Sequence, residues 1–214
     1  MALEIECKYL EVEVAKLHRL LQEQNWQAQG GPYFEHNLLF ETTPPSLTAR
    51  KTLLRLRTML GNNFRKEVLT LKLPAPMASQ RSDFKVSDER ETLVNGAQMR
   101  LILDGLGYKP FGCYEKVREV WRKDGVELAL DRLCFINCVE LEGEPSAITA
   151  LAKSLELNHC PQSTASYFGL YQEDLQKKGL PASFWAVFAK DEKAKIAKTL
   201  ALSPEALAEL DVDF

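Results

Sequence analysis

Acids and bases recur at two-residue spacing along this chain: Glu4-x-Glu6-x-Lys8, Arg55-x-Arg57, Lys72, Glu89-x-Glu91, Lys116-x-Arg118, Glu127 with Asp131, and Glu140-x-Glu142. Residues two apart on a strand share a face and stand about 7 Å apart. The charges are sorted by sign, bases together in Arg55-x-Arg57 and Lys116-x-Arg118, acids together in Glu4-x-Glu6 and Glu140-x-Glu142. Like charges so placed repel, and a merely wetted face would alternate sign at less cost. A divalent cation on the acids and a polyphosphate on the bases would neutralise each cluster, because hard oxygens suit Mg²⁺ or Mn²⁺ and arginine pairs fork onto phosphate oxygens. The competing reading is an ordinary half-buried sheet, its charged side solvated and laced by weak cross-strand salt bridges.

The elements that must carry these residues follow from periodicity. Residues 3 to 9 alternate as a strand, Val14, Leu17, Leu20 and Leu21 have helical spacing, and Gly30-Gly31-Pro32 breaks the chain. His36 to Glu41 reads as a second strand. Alternation recurs at Leu53 to Arg57, Val68 to Leu73 and near Glu89 to Leu93, the first two joined by a hairpin at Gly61-Asn62-Asn63. A helix over Ala97 to Leu106 stops at Gly107 and separates two strand-rich halves, the second holding Tyr114 to Arg122, Gly125 to Leu133 and Phe135 to Glu142. Helices are expected from Pro145 and over Tyr167 to Lys178. The remainder, with the aromatic cluster Phe184, Trp185 and Phe188 and a helix start at Ser203-Pro204, looks appended. The Lys190 to Lys198 charge run reads as a solvated helix face, and His18 and His36 as surface or internally satisfied histidines. The strand faces opposite the charges are apolar (Ile5, Leu54, Leu56, Leu71, Val117, Leu128, Leu130, Val139, Leu141). That pattern fits a closed barrel, charged inside and jacketed by helices outside, α+β in class.

Composition narrows the functional classes. The 214 residues, 45% hydrophobic and 27% charged, suffice for one full core. With 27 Lys+Arg against 30 Asp+Glu there is no global field for nucleic acid, so a polyanion site must come from local placement. No run reaches the length of a membrane helix and the N-terminus lacks a signal-peptide pattern, so a soluble cytoplasmic protein is expected, with no membrane partner. Five cysteines point to free thiols rather than a disulfide framework, and Cys134, Cys138 and His159-Cys160 match no common zinc spacing.

Taken together, the motifs resemble the CYTH proteins, or triphosphate tunnel metalloenzymes, a family that includes class IV adenylate cyclase, thiamine triphosphatases and inorganic triphosphatases. Glu4-Ile5-Glu6-Cys7-Lys8 is similar to the family's E-x-E-x-K signature, Leu54-Arg55-Leu56-Arg57 to L-R-L-R, and Leu71-Lys72 to the following L-x-K. Lys116-Val117-Arg118 matches K-x-R, Leu130-Asp131 the L-D, and Glu140-Leu141-Glu142 the late E-x-E, in order over about residues 1 to 171. The resemblance implies a closed eight-stranded antiparallel tunnel with helices packed outside; the tunnel domain is expected over residues 1–178, followed by a helical C-terminal extension over 179–214. It implies that Arg55, Arg57, Lys72 and Arg118, with Lys8 and Lys116, grip a triphosphate. Glu4, Glu6, Glu140 and Glu142 would hold a first Mg²⁺ or Mn²⁺, with Glu89, Glu91 and Asp131 contributing there or to a second metal near the attacking water. Lys8, Glu91 and Asp131 are the residues it places nearest the chemistry, Lys8 as a phosphate grip or a proton-transfer group.

Three departures from the family pattern stand out. The strand after Lys72 reads Glu89-Arg90-Glu91 where R-x-E is usual, so either Arg90 or the two glutamates face inward; the glutamates are favoured. Leu39-Phe40-Glu41 occupies a region where many relatives place a tyrosine and then an aspartate. Ser166 precedes Tyr167 where animal thiamine triphosphatases look to carry a base. The resulting expectation is a metal-dependent hydrolase of inorganic tripolyphosphate or a small organic triphosphate. An adenylate cyclase is the alternative within the enzymes, and a non-catalytic polyphosphate or nucleotide binder is the alternative outside them. A homodimer is compatible with the sequence.

Overall fold

The computed structural model describes residues 3–76 and 83–210, so the outer limits of the two expected segments, residues 1 and 214, lie outside the described residues. Eight long strands close on themselves. They are β1 (Leu3–Leu10), β3 (Tyr33–Glu41), β4 (Leu53–Gly61), β5 (Phe64–Pro74), β6 (Lys85–Leu93), β7 (Lys109–Lys123), β8 (Val126–Leu133) and β9 (Asn137–Glu142). Their spatial order is β1-β6-β5-β4-β3-β7-β8-β9, and β9 returns to pair with β1, every one of these pairings antiparallel. Closure leaves no free edge among the eight. Two-residue strands are appended at the rim: β2 (Gln27–Ala28) and β11 (Trp185–Ala186) on β7, and β10 (Gln162–Ser163) on β1.

Local chemistry explains the turns and helix starts. Asp124 and Gly125 both have positive φ (49° and 76°), the conformation a two-residue hairpin between β7 and β8 requires. Helices α2 (Gly96–Gly105), α4 (Tyr167–Lys177) and α6 (Pro204–Ala208) begin after side-chain caps from Asn95, Ser166 and Ser203. Helix α1 (Val14–Glu23) has no such cap, and α3 (Pro145–Ser154) starts on proline, which suits a first helical position.

Alternation sorts the barrel into an apolar exterior and a charged interior, as the sequence pattern predicts. Leu17 and Leu21 of α1 and Ile148 and Leu151 of α3 pack on Val126, Leu128, Leu130, Val139 and Leu141. Leu103 of α2 packs with Leu38, Leu54 and Leu56. Helix α5 (Lys190–Thr199) and α6 cover Phe34 and Leu60 with Ile196, Leu200 and Leu207. The C-terminal segment therefore lies against the barrel wall and contributes a strand, β11, parallel to β7, so it is not wholly helical.

Other expectations change as well, and the strand after the middle helix begins at Lys109 rather than Tyr114. The second strand begins at Tyr33 rather than His36. The Lys190 to Lys198 run is not a uniformly solvated face, because Lys193 is only 7% exposed and its Nζ lies 2.7 Å from Glu115 Oε1 on the outer face of β7. A buried carboxylate drew that lysine inward. His36 is an internally satisfied histidine, its Nδ1 3.0 Å from the same Glu115 oxygen. Among the described residues no helix is long and apolar enough to cross a membrane.

Candidate active site

The barrel interior is banded along its axis. At one mouth an outer cavity of about 340 Å³ is bordered by Glu4, Glu89, Glu91, Glu127 and Glu142 and, among the described residues, by the bases Arg57 and Arg118. Next comes a narrow inner cavity of about 80 Å³, bordered by seven bases (Lys8, Arg55, Arg57, Lys72, Lys85, Lys116, Arg118) against four acids (Glu4, Glu6, Glu89, Glu140). Leu53, Tyr114, Tyr167 and Phe168 border the far end of that cavity. The interior thus runs from net negative at the mouth to net positive within.

Strand registers set these contacts. Lys8 of β1 lies opposite Glu140 of β9, and its Nζ sits 2.8 Å from Glu140 and 3.1 Å from Glu6. Burial disfavours its charge, but Glu140 and Glu6 overcome that and raise its pKa, so Lys8 stays protonated. The same contacts act in reverse on the acids. Burial would raise Glu140 and Glu6, yet Lys8 and Arg118 hold Glu140 well below the usual carboxylate range, and Lys8 and Lys85 hold Glu6 low. Lys72 bonds Glu4 and lies 2.7 Å from Glu89. Arg55 reaches Glu89 at 3.1 Å and donates to the Tyr114 hydroxyl at 2.8 Å.

Asp131 is fully buried and takes two bonds from Arg118, at 2.7 and 2.6 Å, one from Lys116 at 3.1 Å, and one from the Tyr167 hydroxyl. Its oxygens are occupied by these donors, and it lines neither cavity. Lys8 and Lys116 also face the Tyr167 ring, 5.2 and 4.8 Å from its centroid.

Glu142 differs from the other acids. Among the described residues no base lies within ion-pair distance of it, and burial together with Glu4 and Glu127 pushes its pKa up to about 7. Burial, a hydrogen bond with Glu89 and the charge of Glu6 raise Glu4 as well. The rim therefore carries more carboxylate than its neighbouring cations compensate, and a hard divalent ion would relieve that excess. The oxygen donor set fits Mg²⁺ or Mn²⁺, although among the described residues no three acids already converge in ligand geometry.

Of the residues anticipated from sequence, the structure brings Glu4, Glu6, Lys8, Arg55, Arg57, Lys72, Glu89, Lys116, Arg118 and Glu140 around the inner cavity. Glu91 and Glu142 border the outer one. Glu89 and Glu91 face inward with Arg55 while Arg90 points out to pair with Asp88. Sequence reasoning missed Glu35, Asn37, Lys85 and Tyr114. Each continues a two-residue alternation, Tyr33-x-Glu35-x-Asn37, Lys85-x-Ser87-x-Glu89 and Tyr114-x-Lys116, that could have revealed it. Glu41 serves the loop after β3, accepting from the backbone N–H groups of Thr42, Ser46, Leu47 and Thr48 at 2.7–3.0 Å.

A closed antiparallel barrel whose bore is lined with sorted charge is a tunnel architecture. The CYTH domain matches residues 2–167 of this chain; the chain belongs to the CYTH family, which includes triphosphatases and adenylate cyclases. No curated protein matches its sequence. Among solved structures it is similar to the PH1012 protein of Pyrococcus horikoshii (TM-score 0.61, 22% identity, covering 77% of this chain and 96% of that one). It is also similar to a candidate adenylate cyclase of Vibrio parahaemolyticus (TM-score 0.62, 18% identity, 81% and 97% covered). A third is HpAC1 of Hippeastrum, a candidate adenylyl cyclase with a dominant triphosphatase activity (TM-score 0.57, 23% identity, 83% and 97% covered). At these identities the likeness is one of fold.

Proposed function

We propose that this chain is a divalent-metal-dependent triphosphatase acting on inorganic tripolyphosphate or a small organic triphosphate. The observation that carries the reading is the banding of the bore, seven bases against four acids in the inner cavity and five acids against two bases at its mouth. A linear triphosphate matches the first band and a divalent metal the second.

In this reading Arg55, Arg57, Lys72, Lys116 and Arg118 bind the phosphate oxygens and spread the negative charge that moves during phosphoryl transfer. Lys8, kept protonated between Glu6 and Glu140, acts as a fixed positive charge rather than as a base. Asp131 holds Arg118 and Lys116 in place. Glu4 and Glu142, with Glu6 and Glu140 behind them, would hold the metal, and Glu89 and Glu91 flank it beside Arg55. Bound there, a divalent ion supplies charge neutralisation and a water of lowered pKa.

The test is phosphate release from tripolyphosphate, ATP and thiamine triphosphate, with Mg²⁺ and with Mn²⁺, beside a Glu4→Gln control. Metal-dependent release that the control loses supports a triphosphatase and ranks its substrates. Cyclic product from ATP without phosphate release would move the assignment to a cyclase. Ligand-dependent stabilisation without either product would move it to a binder.

A further inference from the structure

Beside Arg55 Nε and Glu89 Oε2, three further buried polar atoms in the tunnel wall have no hydrogen-bond partner among the described residues: Glu35 Oε1, Asn37 Oδ1 and Arg57 Nε. They share one place. Asn37 pairs directly across from Arg57 in the β3–β4 ladder, Asn37 Nδ2 donates to Glu35 Oε2 at 3.4 Å, and Arg57 Nε lies 3.9 Å from that same oxygen. Lys116 Nζ approaches it too, at 3.5 Å. Glu35 and Asn37 have no exposed surface.

Every contact of this carboxylate therefore crowds one oxygen, at the outer limit of bonding distance. The other oxygen is left without a hydrogen-bond donor in a buried site where that is costly. The unmet demand is two acceptors and one donor. One water molecule meets it, donating to Glu35 Oε1 and Asn37 Oδ1 and accepting from Arg57 Nε–H.

Arg57 itself stands out among the bases of the inner cavity. Each of the others has a carboxylate within 3.1 Å, whereas the carboxylates nearest Arg57, Glu35 and Glu91, are both 3.9 Å away. It borders both cavities. A guanidinium so placed can take phosphate oxygens without breaking an ion pair, provided something fixes its orientation from behind.

We infer that Glu35, Asn37 and Arg57 bind a single water in the tunnel wall, and that through it Asn37 and Glu35 act as positioning residues for Arg57. Nε is engaged from behind and the Nη groups are presented to the polyanion. The inference rests on the triphosphate reading of the tunnel.

A double-mutant cycle tests it, read as the affinity of the full chain for inorganic tripolyphosphate in EDTA, where binding is separated from metal-dependent turnover. Asn37→Ala keeps every charge and is expected to weaken binding about tenfold, but less than twofold when added to Arg57→Ala. Equal weakening in both backgrounds would overturn the positioning role. Should Asn37→Ala not fold, Asn37→Ser, which keeps an oxygen near the site, is expected to show a smaller loss that again disappears beside Arg57→Ala. A crystal structure resolving ordered waters reads the site directly: density within hydrogen-bond distance of all three atoms is expected, and its absence overturns the water. Failure of the native chain to bind tripolyphosphate would overturn the tunnel reading and the positioning role together, and leaves the crystallographic result to decide the water alone.

Discussion

Strands β3 and β7 carry two buried charge clusters, one on each side of the barrel wall. On the outer side Glu115 Oε1 meets Lys193 Nζ at 2.7 Å and His36 Nδ1 at 3.0 Å, and its Oε2 accepts from the Phe188 N–H at 3.0 Å. Both oxygens are satisfied at short range. On the inner side, one residue along each strand, Glu35 meets Lys116 and Arg57 only at 3.5 and 3.9 Å and keeps an oxygen unpartnered. The same backbone thus holds a closed cluster and an open one. Closed clusters cement structure, since nothing is left for a ligand to satisfy, while an open one retains charge and hydrogen-bonding capacity for something else to complete.

That contrast breaks if damage to the outer side leaves the fold intact. The largest effect is expected on ending the chain at Lys178, which removes Phe188, Ile196, Leu200, Leu207 and Leu210 from their contacts with Phe34 and Leu60. At roughly 1.5–3 kcal/mol for each buried side chain, the loss of about 7–15 kcal/mol rivals the whole stability of a domain. The truncated chain is expected to be insoluble or to lack a cooperative melting transition. A folded, active fragment would show that the extension is a separable unit.

Glu115→Ala comes next. It leaves Lys193 and His36 facing a void in the wall, and breaking a buried ion pair from one side costs about 3–5 kcal/mol. A fall in Tm of about 10 °C is expected, with residual activity in the folded fraction. Glu4→Gln should do the opposite. Phosphate release falls about 10²–10³-fold as a metal-ligand oxygen loses its charge, while Tm holds within about 2 °C because a raised, repelled carboxylate has been removed. Equal melting losses in both variants would erase the distinction between the two sides.

The two sides were unequally legible in the sequence. Arg55-x-Arg57 or Glu140-x-Glu142 announces itself, because on a strand one face is wet or charged and the other apolar, and two-residue spacing preserves that contrast. Strand β3 hides its inner face. From Phe34 to Glu41 every residue is buried on both sides, so Glu35 and Asn37 alternate with Phe34, His36 and Leu38 and not with a clean apolar row. The glycines before Tyr33 moved the apparent strand start past Glu35 altogether. Lys193 was illegible for a different reason. Within α5 it is one lysine among several, and what buries it is Glu115, nearly eighty residues earlier, on the far side of a strand pairing that no local pattern encodes.

The smallest expected effect probes the rim, where the open interior meets solvent. Glu142 has its pKa pushed up to about 7 from a usual carboxylate value of 4.5 by burial and by Glu4 and Glu127. Between those values the folded chain holds a proton that the unfolded chain has released. Stability of the metal-free protein therefore falls as pH rises through that window and levels off above about 7. Although surrounding atoms partly desolvate its carboxyl, the Glu142 side chain keeps much of its surface in water at the rim, so solvent screens much of the repulsion and the change amounts to about 1 kcal/mol or less. Denaturant melts in EDTA at pH 5 and pH 8 should show that decline in the native chain and a flatter profile in Glu142→Gln. Adding Mg²⁺ at pH 8 should restore stability to the native chain and restore less to the variant, because the ion takes the place of the proton. A native profile that rises with pH across this window would mean that Glu142 is already compensated, and that the mouth is as closed as the cluster around Glu115.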